Sequence, residues 1–417
     1  MKSAGGETAA GADGVRRSRV TGLSALLLLT LVLGYAVYAV DRTVLAGVLP
    51  SLQSSLHLNN GQLGLLTSAQ YLGVLLVVFI AGSLSDRFGR LRVLLLGLVV
   101  FTAFTWLIGL ANGFVEAYLF RFVSGLGEGI FWPVAMASAA SYFGSRKGFA
   151  LGVFYVGFDV GSAGGTALAG TAIALTSNWR YAFYWAPLFG IVPIATALFL
   201  QLSKASTVEV DVRSRGLRLG RDALQLLRKR NVQVIMLFAF LATWASVWQV
   251  VFLPYYFNKV LGYKLVYADF LTPVVLISGA AGKLVLSHIS DSRNRRVILG
   301  TTSILVVLSY LAFFSLTNIY LVVAAAVSMG FFSSSVFPVM QALMADSCGD
   351  PGLFGAALGL NTTSQSVATV LSPFISASLF SFGVGRSLAA SALIPAALMA
   401  VVALFLLREP RSRVKTL

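Results

Sequence analysis

Residues 82–92 read Gly-Ser-Leu-Ser-Asp-Arg-Phe-Gly-Arg-Leu-Arg, and they separate two apolar runs at 63–80 and 93–110. Each run is close to the length of about 20 residues that a helix needs to cross a bilayer. A short stretch with one aspartate and three arginines between two such helices belongs at a membrane surface. The stretch therefore predicts a membrane protein and marks one of its tight, basic loops.

The composition extends this prediction to the whole chain. Of the 417 residues, 57% are hydrophobic and only 11% are charged, whereas soluble domains carry about 25% charged residues. Twelve apolar segments of membrane-spanning length follow one another, and backbone groups that cannot bond to lipid must be satisfied within helices. The sequence predicts an all-α membrane protein with twelve transmembrane helices.

The distribution of Lys and Arg predicts the orientation. The net charge is +16, but the basic residues are scattered through short loops rather than clustered as a nucleic-acid-binding surface. Of the 31, 24 fall on one side of the predicted membrane, four on the other and three inside spans. Since basic loops stay in the cytoplasm, we expect a multi-pass protein of the cytoplasmic membrane, with both termini cytoplasmic and no nucleic-acid partner.

The chain repeats itself at an offset of about 205 residues. Ser-Asp at 85–86 recurs at 290–291, and the segment around Pro133 recurs around Pro338. In the second copy, Asn294 stands where the first copy has glycine. Such an offset indicates two duplicated six-helix halves. The predicted organisation is a disordered cytoplasmic tail at 1–20, an N-terminal six-helix bundle at 21–202, a basic cytoplasmic linker at 203–231, a C-terminal six-helix bundle at 232–407 and a cytoplasmic tail at 408–417.

Four charged residues fall inside the predicted spans of helices 1 and 4: Asp41, Arg42, Arg121 and Glu128. Charge within a span is costly unless it is paired or hydrated, and it marks function by default. A rise of about 1.5 Å per residue places all four in the outer half to the middle of the bilayer. Two acids balance two arginines, so the residues can be buried together. Desolvation and arginine act in opposite directions on such carboxylates, which suits reversible protonation.

The stretch at 82–92 fills every fixed position of G-x-L-x-D-R-x-G-R-x-R, and it closely resembles the loop between helices 2 and 3 of the major facilitator superfamily. The resemblance implies two pseudo-symmetric six-helix bundles that rock around a central cavity. Residues 41–50 also resemble the Spinster lysolipid transporters. The predicted conformational gate includes Asp86, Arg87, Gly89 and Arg90 of the loop and Asp291 of its second copy.

The charged segments resemble one branch of that superfamily. Tyr-Ala-Val-Asp-Arg at 38–42 is similar to the Y-x-x-D-R start of the anion:cation symporters, and residues 121–133 are similar to their helix 4. This resemblance implies that the acids, Asp41 and Glu128, couple transport to protons. It implies that the arginines, Arg42 and Arg121, act as substrate-binding or coupling cations.

A second pair of charges is predicted across the two halves. Asp159 lies about 18 Å into helix 5 and Lys283 about 12 Å into helix 8, both counted from the cytoplasmic end. A lysine side chain reaches about 6 Å further, and these helices face each other in the superfamily. We expect an ion pair that forms or breaks as the halves rock. The alternative is that Lys283 reaches the cytoplasm while Asp159 bonds a backbone or hydroxyl group.

Several aromatic and amide side chains are candidates for the wall of the cavity. Such residues more often serve packing than ligand binding, but helices 7, 10 and 11 line the cavity in the superfamily, which favours Gln249, Asn361 and Gln365. The candidates are Tyr38, Trp132, Tyr155, Trp248, Gln249, Asn361 and Gln365.

The sequence contains no phosphate-binding loop motif, one cysteine and no metal-ligand spacing. We therefore expect neither an enzyme nor a cofactor or metal, and transport would use an ion gradient. The leading hypothesis is a monomeric secondary transporter that moves a small organic anion together with protons. The alternative is a proton-linked exporter of lysophospholipids, amphiphiles or drugs, and a remote alternative is a membrane sensor that does not transport.

Overall fold

The computed structural model describes residues 7–142, 147–203, 224–348 and 354–408. Within these ranges the chain forms twelve long helices joined by short turns, without a strand. The predicted all-α class with twelve helices is therefore confirmed. The helices are α1 (Glu7–Ser55), α2 (Asn60–Phe88), α3 (Arg90–Ile108), α4 (Phe114–Tyr142), α5 (Lys147–Thr176), α6 (Arg180–Leu202, with a 3-10 turn at Ala186–Gly190), α7 (Arg230–Lys259), α8 (Leu265–Ser292), α9 (Arg295–Ser315), α10 (Ile319–Cys348), α11 (Phe354–Ser378, continued by a 3-10 turn at Leu379–Phe382) and α12 (Val384–Val401, continued by a π turn at Val402–Leu406).

Ten of the helices in the described ranges are long and apolar enough to cross a membrane by composition. The other two, α4 and α5, are 29 and 30 residues long. They carry Arg121, Glu128 and Asp159, and α5 is also rich in glycine. These residues lower the hydropathy of helices that are still long enough to span.

The stretch at 82–92 is almost entirely helical, so the loop is shorter than expected. α2 ends at Phe88 and α3 begins at Arg90. The turn between them is Gly89 alone, whose φ of +89° is a conformation that glycine adopts without strain. In the second copy Asn294 has an extended backbone, and its side-chain oxygen accepts a hydrogen bond of 3.2 Å from the Val297 N–H at the start of α9.

The helices form two halves, α1–α6 and α7–α12. In the first half α4 packs against α2 and α3, and α1 packs against α5; in the second, α10 packs against α8 and α9. The main contacts between the halves join α5 to α8 and α2 to α11. The helices alternate in direction, so we call the end that carries residues 82–92 the motif face and the other end the opposite face.

Parts of the predicted domain organisation lie outside the described residues. These are residues 1–6, most of the basic linker (204–223) and the C-terminal tail after Arg408. The backbone of α1 begins at Glu7, inside the segment that was expected to be a disordered tail. The domain boundaries therefore stay predictions.

Candidate functional site

The four charged residues of helices 1 and 4 meet as two ion pairs. Arg42 Nε lies 3.0 Å from Glu128 Oε2, and Arg121 Nη1 lies 2.9 Å from Asp41 Oδ1. Each helix contributes one acid and one arginine, so the pairs cross between α1 and α4. The Glu128 side chain is fully buried, whereas 15% of the Arg42 side chain is exposed. The cluster is thus charge-balanced, and Arg42 is its most accessible member.

Gln70 on α2 joins the two carboxylates, and sequence reasoning missed this residue. Its Nε2 donates to Asp41 Oδ2 at 2.8 Å and to Glu128 Oε1 at 2.7 Å. The residue is fully buried, and its Oε1 has no hydrogen-bond partner. A signal was present, since Gln70 is the only amide side chain within the apolar run at 63–80. Helix α4 can approach α2 closely here because Gly125 has no Cβ; a Cβ at this position would collide with the Gln70 backbone.

Asp41 is the better satisfied of the two acids. Besides Arg121 and Gln70, Ser124 Oγ donates to Asp41 Oδ2 at 2.6 Å. Arg121 Nη1 also donates to the backbone oxygen of Asp41 at 2.9 Å, while Arg121 Nε has no partner. Arg121, Ser124 and Glu128 share a face of α4 because they are three or four residues apart. Asp41 therefore receives three side-chain donors and Glu128 receives two.

Aromatic rings surround the accessible end of the cluster. The Arg42 guanidinium lies 4.4 Å from the ring centroid of Tyr38 and 4.9 Å from that of Tyr71, within cation–π range. Tyr38 in turn contacts Tyr35, whose ring stacks on Phe154 at 4.2 Å. Sequence reasoning identified Tyr38 but not Tyr35 or Tyr71.

Two further predicted wall residues lie near these rings. The Tyr155 ring meets the Tyr35 ring edge-on at 6.0 Å, and its hydroxyl donates to the Met136 sulfur at 3.7 Å. Trp132 is half-buried among the same hydrophobic core, and its indole nitrogen has no partner. Tyr38, Trp132 and Tyr155 are therefore brought close to the charged cluster.

The wall residues predicted on α7 are placed differently. Trp248 is fully buried against aromatic residues of its own half, among them Tyr310 and Phe314. Gln249 Nε2 donates to Tyr310 Oη at 2.5 Å and to Ser333 Oγ at 3.1 Å. Both side chains are buried inside the C-terminal half in this structure, and their assignment to the cavity wall stays a prediction.

The two candidates on α11 differ from each other. Asn361 is fully buried, and neither atom of its side-chain amide has a hydrogen-bond partner. Gln365, one turn further along the helix, is half-buried. Sequence reasoning therefore found a polar position on α11, but only Gln365 keeps an accessible side chain.

The predicted charge pair between the halves is present. Lys283 Nζ lies 2.7 Å from Asp159 Oδ1, and their side chains are 31% and 16% exposed. Of the two alternatives that the sequence left open, the structure shows the pair. At the motif face, Arg87 is exposed with its guanidinium 5.3 Å from the Phe88 ring centroid, and Arg90 is half-buried. The side chains of Asp86 and Asp291 lie outside the described residues.

The halves also touch near the opposite face. Tyr255 Oη on α7 donates to Gln53 Oε1 on α1 at 2.7 Å. On α2, a Cβ at Gly64 would lie 3.0 Å from the Phe374 backbone of α11. These contacts join residues in the last or first turns of their helices. The structure is therefore closed at the opposite face.

Two six-helix halves, a buried charge-balanced cluster in one of them and a charge pair between them define a membrane transporter architecture. The family profile of the Major Facilitator Superfamily matches residues 31–294 and 267–417. The chain belongs to this superfamily, as the stretch at 82–92 indicated.

Relatives and solved structures agree with this assignment. A putative metabolite transport protein of Haemophilus influenzae is 26% identical over 331 residues, which are 75% of this chain and 79% of that protein. The cis,cis-muconate transport protein of Acinetobacter baylyi is 29% identical over 161 residues, which cover only 38% of either chain. The crystal structure of a bacterial homologue of the human lysosomal transporter Spinster, inward-facing and unoccupied, has a TM-score of 0.76 at 17% identity and covers 91% of this chain and 97% of that chain.

Proposed function

We propose that this protein is a proton-coupled secondary transporter that carries a small organic anion by alternating access. The observation that carries the proposal is the buried cluster of two acids and two arginines, in which Gln70 bridges both carboxylates. Buried charge of this kind in a transporter marks the pathway of a substrate or an ion.

Glu128 is the proposed proton carrier. Asp41 accepts hydrogen bonds from three side chains, which occupy both of its carboxylate oxygens. Glu128 is fully buried with one fewer donor, and its ion-pair partner Arg42 is partly exposed. A proton on Glu128 removes the negative charge that holds Arg42.

Arg42 then becomes the binding site for the anion. Once Glu128 is neutral, the guanidinium keeps its charge and attracts an anionic group from the central pathway. The faces of Tyr38 and Tyr71 lie against it and suit the apolar or unsaturated part of a small organic acid. The names of the relatives, a metabolite transport protein and a cis,cis-muconate transport protein, favour this substrate class. Proton and anion are coupled because a proton on Glu128 frees Arg42 for the anion, so each ligand binds more tightly when the other is bound.

The proposed conformational cycle uses the two ends of the bundle in turn. With the opposite face closed, substrate exchanges at the motif face, where Asp86, Arg87, Gly89, Arg90 and Asp291 belong to the gate. The Asp159–Lys283 pair holds α5 to α8 and breaks or re-forms as the halves rock. The motif face is assigned to the cytoplasm by its basic residues, the membrane is the cell membrane, and the protein acts as a monomer.

The test is uptake into proteoliposomes under an imposed inward proton gradient, with muconate, other small organic anions and lysophospholipids as probes. We expect an organic anion to accumulate, and we expect Glu128→Gln to abolish this accumulation while counterflow exchange survives. The matched control is Glu116→Gln, which removes an exposed acid from the first turn of the same helix. Wild-type accumulation in a folded Glu128→Gln protein would contradict the proposal. Movement of lysolipid without any anion signal would instead favour the exporter suggested by residues 41–50, and no movement of any probe would favour a sensor.

A further inference from the structure

A third buried acid, Asp269, plays no part in the cluster described above. It lies in the second turn of α8 and is fully buried. Neither of its carboxylate oxygens has a hydrogen-bond partner. Among the acids that the structure describes, it is the only fully buried one without a partner.

Asp269 faces the other half of the molecule. A Cβ at Gly47 of α1 would lie 3.0 Å from Asp269 Oδ1, and a Cβ at Gly170 of α5 would lie 2.8 Å from Asp269 Cβ. The carboxyl group therefore sits against the bare backbone of two glycines that belong to the N-terminal half. This contact lies in the half of the bundle nearer the opposite face, where the two halves are closed.

No charged side chain on the surrounding helices that the structure describes neutralises the Asp269 carboxylate. Arg42 of α1 is paired with Glu128, and Asp159 of α5 is paired with Lys283. No described basic side chain lies within ion-pair distance of Asp269. The other described charged groups on helices packed against α8 include Asp41 of α1, which is paired with Arg121, and Arg230 and Lys259 at the ends of α7. Arg295, Arg296 and Asp346 lie at the motif face, where Arg295 pairs with Asp346, and Lys264 immediately precedes α8.

We propose that Asp269 is a second proton-binding site, and that its protonation permits the two halves to close at the opposite face. An ionised carboxylate cannot be buried without a large penalty against two helices whose backbone N–H groups are already hydrogen-bonded within the helix, whereas a neutral acid can. When the halves separate, water reaches the carboxyl group, its O–H bond breaks and the proton passes to that water. The proposal rests on the alternating-access function above.

The position of Asp269 differs from that of Glu128. Asp269 is about 6 Å along α8 from the opposite-face end, and Glu128 is about 21 Å along α4 from the same end. The two acids therefore sense protons at different depths. A proton from the opposite-face solution reaches Asp269 first, and closing that face then depends on pH even without substrate.

The test measures the distance across the opposite face without any substrate. Spin labels are placed on Val115→Cys and Tyr320→Cys in a Cys348→Ala background. These positions are 64% and 81% exposed, in the first turns of α4 and α10 and thus in different halves. Double electron–electron resonance between pH 5 and pH 9 in lipid nanodiscs should show a growing population of longer distances as the pH rises. Asp269→Asn should keep the short distance at every pH, whereas the control Glu116→Gln should follow the unmutated protein.

A second measurement guards against a variant that folds poorly. Asp269→Asn and the smaller Asp269→Ser should both raise the thermal unfolding midpoint at high pH and lose this gain at low pH, because only the ionised acid is costly. A distance in Asp269→Asn that tracks the unmutated protein would overturn the proposal, as would a distance that is independent of pH in the unmutated protein. A lowered midpoint of both variants at every pH would overturn it too. None of these readouts depends on uptake, so they are separate from the Glu128→Gln test.

Discussion

The two halves of this transporter make the same contact with different chemistry. In the first half Arg42 on α1 donates to Glu128 on α4 at 3.0 Å. In the second half Gln249 on α7 donates to Ser333 on α10 at 3.1 Å. Ser333 follows Glu128 by 205 residues, which is the offset of the sequence repeat. The duplicated fold thus carries a titratable ion pair on one side and a neutral hydrogen bond on the other.

The neighbouring positions sharpen this contrast. The residue before Arg42 is Asp41, and the residue before Gln249 is Trp248. Asp41 forms an ion pair with Arg121, whereas Trp248 packs among aromatic rings. Buried ions need partners to be tolerated, while a tryptophan is stable in such a place by packing alone. The comparison teaches that this contact carries charge only in the N-terminal half, while the equivalent contact in the C-terminal half is made by neutral groups.

The largest effect is expected when one ion of the charged half is removed. Arg121→Ala leaves the Asp41 carboxylate buried with only neutral donors, which costs about 3–5 kcal/mol for a broken buried pair. The thermal unfolding midpoint of the purified protein should fall sharply, and much of the protein should be lost before purification.

The matched change in the neutral half is Gln249→Ala. It removes hydrogen bonds between uncharged groups, so we expect a loss of about 1 kcal/mol. Equal losses in the two variants would show that the difference between the halves is not electrostatic.

The next effect concerns the bridge between the two acids. Gln70→Leu removes the donor shared by Asp41 and Glu128, and leaving buried acceptors without a donor costs about 1–3 kcal/mol. If this cost falls on the barrier to transport, gradient-driven uptake should fall by about 5- to 150-fold, since each 1.4 kcal/mol is about a factor of ten. The control is Gln233→Leu, an exposed amide at the start of α7. Unchanged uptake and stability in Gln70→Leu would mean that the two acids act independently.

Gln70 also shows what the sequence could and could not predict. The four charges of the cluster were evident from hydropathy and helix rise, because a charge inside an apolar run is unusual in itself. Gln70 was missed because its role depends on the distance between α2 and α4. That distance is short because Gly125 has no side chain, and it is visible only in the structure. A single amide in an apolar run does not show by itself which distant residues its side chain will bind.

The same limit applies to the C-terminal half. Trp248 and Gln249 have the residue types of a binding wall, but residue type alone does not predict that both side chains are buried within their own half. Asp269 was overlooked because it lies near the end of a predicted span, where water would normally reach it. The Asp159–Lys283 pair was found because the superfamily resemblance supplied the facing of helices 5 and 8, which spacing alone does not contain.

That pair provides the third prediction, which tests whether the halves communicate by charge. Asp159→Lys and Lys283→Asp should each reduce the uptake rate, because two like charges then face each other across α5 and α8. The pair is partly exposed, so its contribution to stability is at most about 1 kcal/mol. The double exchange should recover most of the uptake rate in proteoliposomes. A double variant that is no better than either single variant would show that the contact is not used in the transport cycle.

The smallest effect on transport is expected from Tyr310→Phe in the neutral half. Tyr310 Oη accepts from Gln249 and donates to the Ala245 backbone oxygen, both at 2.5 Å. Removing a hydroxyl between neutral groups costs about 0.5–1.5 kcal/mol, and the ring stays in place beside Trp248. The unfolding midpoint should fall slightly, while the dependence of uptake on the proton gradient should be unchanged. A Tyr310→Phe variant whose uptake no longer follows the gradient would show that the hydrogen bonds around Tyr310 and Gln249 take part in coupling, and it would break the contrast between the two contacts.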